Sequence, residues 1–79
     1  NASTTIRYSN LQMGDVFIRI VDVAGNHINT IKIANQVPGT HLFKWEGTDY
    51  LGHHVHSGIY FLSVESSGTR KTRKIILLQ

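Results

Sequence analysis

The sequence predicts an all-β fold: an antiparallel sandwich of two sheets, six to seven strands in all, forming a single domain over residues 1–79. Three observations predict it. Isoleucine, valine and threonine number 9, 6 and 7, so 22 of 79 residues are branched at Cβ, against three alanines; that balance suits pleated strands and argues against a helical bundle. Apolar and polar residues alternate with the two-residue period of half-buried strands. Turn residues recur between these segments at the short intervals of a sandwich. Leu, Ile, Val and Phe make 24 of the 79 residues, enough apolar surface for a small core.

The first strand runs from Thr4 to Tyr8 with Ile6 and Tyr8 on one face, and Ser9-Asn10 and Met13-Gly14-Asp15 punctuate the chain after it. In the second, Val16, Ile18 and Ile20 alternate with Phe17, Arg19 and Val21. Ala24-Gly25-Asn26 closes it as a tight turn, because Gly and Asn tolerate the positive φ of hairpin turns. His27 to Ile33 returns as its partner. Pro38-Gly39 is the next turn, with proline presetting one φ and glycine accepting the next position. His41, Phe43 and Trp45 then alternate with Leu42, Lys44 and Glu46, which places the aromatic pair inward and Trp45 at the centre of the core. Gly47 to Gly58 is a long loop with room for a brief seventh strand at His54 to His56. Ile59 to Glu65 is a nearly continuous apolar run, the pattern of a strand buried on both faces. Ser66-Ser67-Gly68 makes the last hairpin, and Thr69 to Leu78 the last strand. The expected core is Ile18, Ile20, Phe43, Trp45, Tyr60 and Leu62.

Charge distribution narrows the function. The net charge is +3, but Arg70, Lys71, Arg73 and Lys74 hold half of the eight basic residues, and residues 1–69 carry four basic against five acidic side chains. One local stripe is too small for a nucleic-acid face. It reads as a charged strand that discourages edge-to-edge aggregation, and as the candidate interaction surface, for an acidic receptor or an anionic surface polysaccharide. With no cysteine there is neither a disulfide nor a thiolate metal site. No run of 18 apolar residues and no charged start followed by an apolar stretch occurs, so neither a membrane-spanning helix nor an uncleaved signal peptide is expected.

The catalytic inventory is thin. The carboxylates are Asp15, Asp22, Glu46, Asp49 and Glu65, and nothing in their spacing brings two together as an acid and a base. Asp22 and Asp49 sit beside glycine-containing turns, where side-chain oxygens cap backbone N–H groups. No catalytic residue and no cofactor is expected. His54 and His56 stand two apart and would face one side of an extended segment, a candidate metal pair, but His53 faces away and the set is incomplete; solvated loop histidines are the simpler reading. Tyr60 is expected to be a core aromatic whose hydroxyl bonds a backbone carbonyl, and Tyr50 an exposed loop aromatic, weak as a carbohydrate platform. Asn1-Ala2-Ser3 matches the glycosylation triplet and reads most simply as a chain start.

Several blocks fall in the order of a known family: Asn1 to Ser9, Ile20-Val21-Asp22-Val23-Ala24-Gly25, Gly39-Thr40-His41, Trp45-Glu46-Gly47-Thr48-Asp49, Ser57-Gly58-Ile59-Tyr60-Phe61 and Thr72-Arg73-Lys74-Ile75. Over nearly its whole length the chain resembles the immunoglobulin-like modules related to the Ig-like domain of the flagellar hook-capping protein and to the C-terminal sorting domains of type IX secretion cargo. The resemblance implies an Ig-like, fibronectin III-like sandwich, non-catalytic, belonging to secreted or cell-surface bacterial proteins. In the sorting branch, Gly58-Ile59-Tyr60 and Lys74-Ile75 correspond to blocks at the end that the secretion machinery reads, so the first expectation is a secretion-sorting tail of a larger protein. The alternative is a subunit of an extracellular filament or surface assembly in which a strand from one copy completes the next. The partners are accordingly the secretion machinery or neighbouring copies. The family usually opens with Pro-Asn-Pro or Phe-Asn-Pro, whereas Ala2 stands in the expected proline position here. A missing opening strand would leave one sheet edge available to another chain.

Overall fold

A computed structural model describes residues 3–79; Asn1 and Ala2, which begin the opening block and the glycosylation triplet, lie outside the described residues. The described residues form six strands: β1 (Thr4–Asn10), β2 (Gly14–Asp22), β3 (His27–Gln36), β4 (Gly39–Trp45), β5 (Gly58–Ser66) and β6 (Thr69–Leu77). They make two antiparallel sheets of unequal width, β1-β4 and β3-β2-β5-β6. The all-β sandwich expected from the sequence is therefore the fold observed. Among the described residues no helix is long and apolar enough to cross a membrane.

The alternation of the strands fixes which side chains meet between the sheets. Val16, Ile18 and Ile20 of β2 and Leu62 of β5 are fully buried, joined by Ile6 and Tyr8 of β1, Trp45 of β4, Tyr60 of β5, and Ile75 and Leu77 of β6. Removing a side chain of this size from water contributes roughly 1.5–3 kcal/mol each. Trp45 meets Tyr60 edge to face, with ring centroids 5.2 Å apart and planes at 71°. Its indole N–H donates to the Thr48 carbonyl at 2.9 Å, so the largest buried side chain keeps its one polar atom satisfied. The Tyr60 hydroxyl donates to the His56 carbonyl at 2.6 Å, the tyrosine corner that ties a loop to a strand in Ig-like sandwiches.

The turns follow residue chemistry. In the β5–β6 hairpin Ser67 and Gly68 have φ of 52° and 77°, both positive as a two-residue type I′ loop demands. The long loop after β4 is organised by Asp49, whose Oδ1 accepts the amides of Leu51 and His53, each at 2.9 Å. The Tyr50 amide donates to the Ile28 carbonyl, pinning the loop to β3.

Four expectations are corrected. Strands β1 and β3 run further than their apolar patterns, to Asn10 and Gln36. In β3 the extension is carried by a bulge at Asn35, whose φ is 55° and whose amide donates to Asp15 Oδ1 at 3.1 Å; ladder partners, not side-chain pattern, set that register. The seventh strand is absent: Thr48 and His54 make a single isolated bridge. The apolar run of β5 is buried on one face only, because among the described residues no layer covers the outer face of the wide sheet, and Ile59 is 39% exposed there. Phe43 is half-buried at the rim of the core rather than within it, because β4 is an edge strand of a sheet only two strands wide.

Candidate functional site

Two strands cannot roof four. Beyond β1, nothing among the described residues stands above the inner face of β6, and the sequence of β6 records this. Ile75 and Leu77 point inward and are buried, whereas Thr69, Lys71 and Arg73, on the same face by alternation, are exposed. The result is a trough of about 390 Å³ with Leu62 and Val64 in its floor and Lys71 and Arg73 along one wall. The other wall is β1. Five consecutive residues of that strand, Ile6 through Asn10, line the trough, which a strand achieves only by presenting its edge, since either face alone shows every second residue. The ladder partner of β1 is β4, so its second edge is unpaired among the described residues.

The basic stripe is not one surface. Arg70 and Lys74 point outward, and the Arg70 guanidinium pairs with Glu65, its cross-strand neighbour, at 3.2 Å. Lys71 and Arg73, opposite Val64 and Leu62, point into the trough. Among the described residues neither is within ion-pair distance of a carboxylate. At the far end Asn10 is 95% buried. Its Nδ2 donates to the carbonyls of Gln12 at 3.1 Å and Gln36 at 3.4 Å, while its Oδ1 has no donor, alone in this among buried side-chain polar atoms of the described residues. A buried acceptor left unpaired costs about 1–3 kcal/mol, so this end of the trough is unfinished.

Other sequence candidates lie apart from it. His54 and His56 are exposed; His54 takes part in the bridge to Thr48, and His56 gives its carbonyl to Tyr60. No group of three or more His, Cys, Asp or Glu side chains that could hold a metal occurs among the described residues. Asp22 caps the β2–β3 turn: Oδ1 accepts the amides of Ala24 at 2.9 Å and Asn26 at 2.8 Å, and Oδ2 accepts Asn26 Nδ2 at 3.1 Å. The hydrogen bond from the Asn26 amide, reinforced by the other donors, holds its carboxyl below the ordinary aspartate value. Burial pushes the Tyr60 phenol up, and the nearby Asp22 charge adds to the effect. Tyr50 is 66% exposed, and among the described residues its one ring neighbour is His27, tilted with centroids 6.1 Å apart, which is no aromatic platform.

Asn10 and the open inner face were missed from the sequence, where Asn10 looks like turn punctuation. The signal was the six residues from Thr69 to Lys74, which offer no apolar side chain to either face; a strand segment polar on both faces is covered on neither.

Comparison with known proteins bears on the fold and the family. The FlgD Ig-like domain profile matches residues 2–70. Among solved structures, FlgD from P. aeruginosa superposes with a TM-score of 0.71 at 20% identity, covering 95% of this chain and 60% of that one. FlgD from Xanthomonas campestris, described in terms of hook capping essential for flagellar assembly, gives 0.73 at 20% identity, covering 96% and 57%. The chain thus spans less than two thirds of either. A search of curated proteins returns no significant match. The hook-capping branch of the resemblance is the one matched, and the expectation of a secretion-sorting tail gains no support. Because the family match spans most of the chain and the fold agrees with it, this protein belongs to the FlgD Ig-like domain family.

Proposed function

We propose that this domain is a non-catalytic structural module of an extracellular bacterial assembly, which holds a neighbouring protein chain by accepting an added strand at the open edge of its sandwich. The unpaired edge of β1 above the uncovered inner face of β6 carries this reading, because unpaired backbone donors and acceptors beside an apolar floor are what strand addition uses. Membership of the FlgD Ig-like domain family, with a solved relative described in terms of hook capping, supports a structural role. The carboxylates, engaged in turns and surface ion pairs, offer no converging acid and base. Strand exchange between identical copies is the narrower form of this idea; all six strands of the described residues are committed to the two sheets, so exchange requires one of them to leave its own sheet, whereas a strand from outside the described residues does not.

A photo-reactive amino acid placed at Ser9 on β1 tests the proposal in cells that export the protein. Cross-linked products confined to a high-mass extracellular structure are expected. Recovery of the protein entirely as free, uncross-linked chain would contradict it.

A further inference from the structure

The trough selects what it accepts. Resting on the reading of an open edge, we propose that its occupant is an extended segment of a different protein chain bearing carboxylates on its inward face, which pairs with β1 over Thr4–Asn10 and sets those carboxylates against Lys71 and Arg73.

Three features of the trough lead to this occupant. Its backbone wall is a strand edge, so the ligand is itself extended; a helix or a globular surface presents no matching row of amides and carbonyls. Its side-chain wall is cationic. Lys71 and Arg73 succeed one another on a single face of β6, about 7 Å apart at the two-residue repeat of a strand, so alternate residues of an incoming strand meet them in turn. These two cations lack acidic partners among the described residues, whereas Arg70 on the opposite face has Glu65. Third, the floor, where Val64 is partly exposed, offers apolar contact to the stems of the same inward side chains, and the orphaned Asn10 Oδ1 lies at the end of the site without a donor. The protein's own carboxylates are held in strands, turns and the loop after β4, so no free acidic segment of the described residues supplies the occupant.

The experiment uses the full chain, isotope-labelled, titrated with two ten-residue peptides of alternating valine with glutamate and of alternating valine with lysine. The glutamate peptide is expected to shift the amide resonances of Thr4–Asn10 and of Lys71 and Arg73, and the lysine peptide to leave them in place. The double reversal K71E/R73E should weaken the glutamate peptide by about tenfold or more, the size expected when close charge pairs are reversed, and let the lysine peptide bind. R70E/K74E, reversing the same number of charges on the outward face, should change affinity by less than about twofold. All four side chains are exposed, and thermal melts matching the parent confirm folded variants. Equal losses from the two double reversals, or shifts that spare β1, would overturn the proposal. Cross-linking from Ser9 without any preference for the acidic peptide would leave the open-edge reading standing and remove only the acidic occupant.

Discussion

Asp22 condenses a turn into one side chain. Three donors converge on its two oxygens, and they bind the ionised form, which is why its carboxyl stays below the usual aspartate range. A group with a depressed folded-state pKa contributes stability that is fully present above its unfolded value and is lost as pH falls through its folded value. Asp22→Ala should therefore lower the midpoint of thermal unfolding at neutral pH, and the gap from the parent should close as pH drops below the ordinary aspartate value; a gap that persists unchanged into strong acid would show that charge is not the cause. Tyr60 is a separate test. Removing its hydroxyl in Tyr60→Phe leaves the His56 carbonyl without its donor, at a loss of about 1 kcal/mol, which in a domain this small lowers the melting midpoint by about 4–8 °C. Both roles are legible in sequence, because an aspartate beside a glycine turn and a tyrosine two residues into an apolar strand each have few ways to satisfy their polar atoms. The Asn10 side chain is not legible, since its burial depends on where Gln12 and Gln36 bring their carbonyls.

Elements whose boundaries are set locally read well from the sequence, and those set by partners do not. The β5–β6 hairpin belongs to the first group: Ser67-Gly68 adopts two positive φ values because a right-twisted ladder needs them. Serine is a poor choice for the first position, where asparagine is favoured. Ser67→Asn should raise stability by a fraction of the roughly 1–2 kcal/mol that the left-handed region costs an ordinary residue, read by chemical denaturation, whereas a loss would mean the serine makes an interaction beyond the turn. The β3 bulge belongs to the second group: Asn35 and Asp15 meet across strands, and no local pattern encodes that pairing. The outer half of β5 misleads for a related reason. Ile59 and Phe61 look like core residues, yet burial of that face requires a layer that the wide sheet lacks.

The whole molecule is governed by the mismatch of two strands against four. Composition and turn spacing predict two sheets, and Trp45 marks where they close on each other, but the number of strands in each comes from long-range pairing that periodicity does not contain. The mismatch places the free edge of β1 beside the polar half of β6 and makes an interaction surface from residues that look ordinary singly.

Amide hydrogen exchange in the isolated chain, resolved residue by residue along Thr4–Asn10, tests that geometry most directly. An edge strand bonded on one side only should show alternation, with amides facing β4 slow and those between them exchanging as fast as exposed loop amides. Uniform protection along β1 would mean that a strand already occupies the trough, and the account of an open receptor edge would fail.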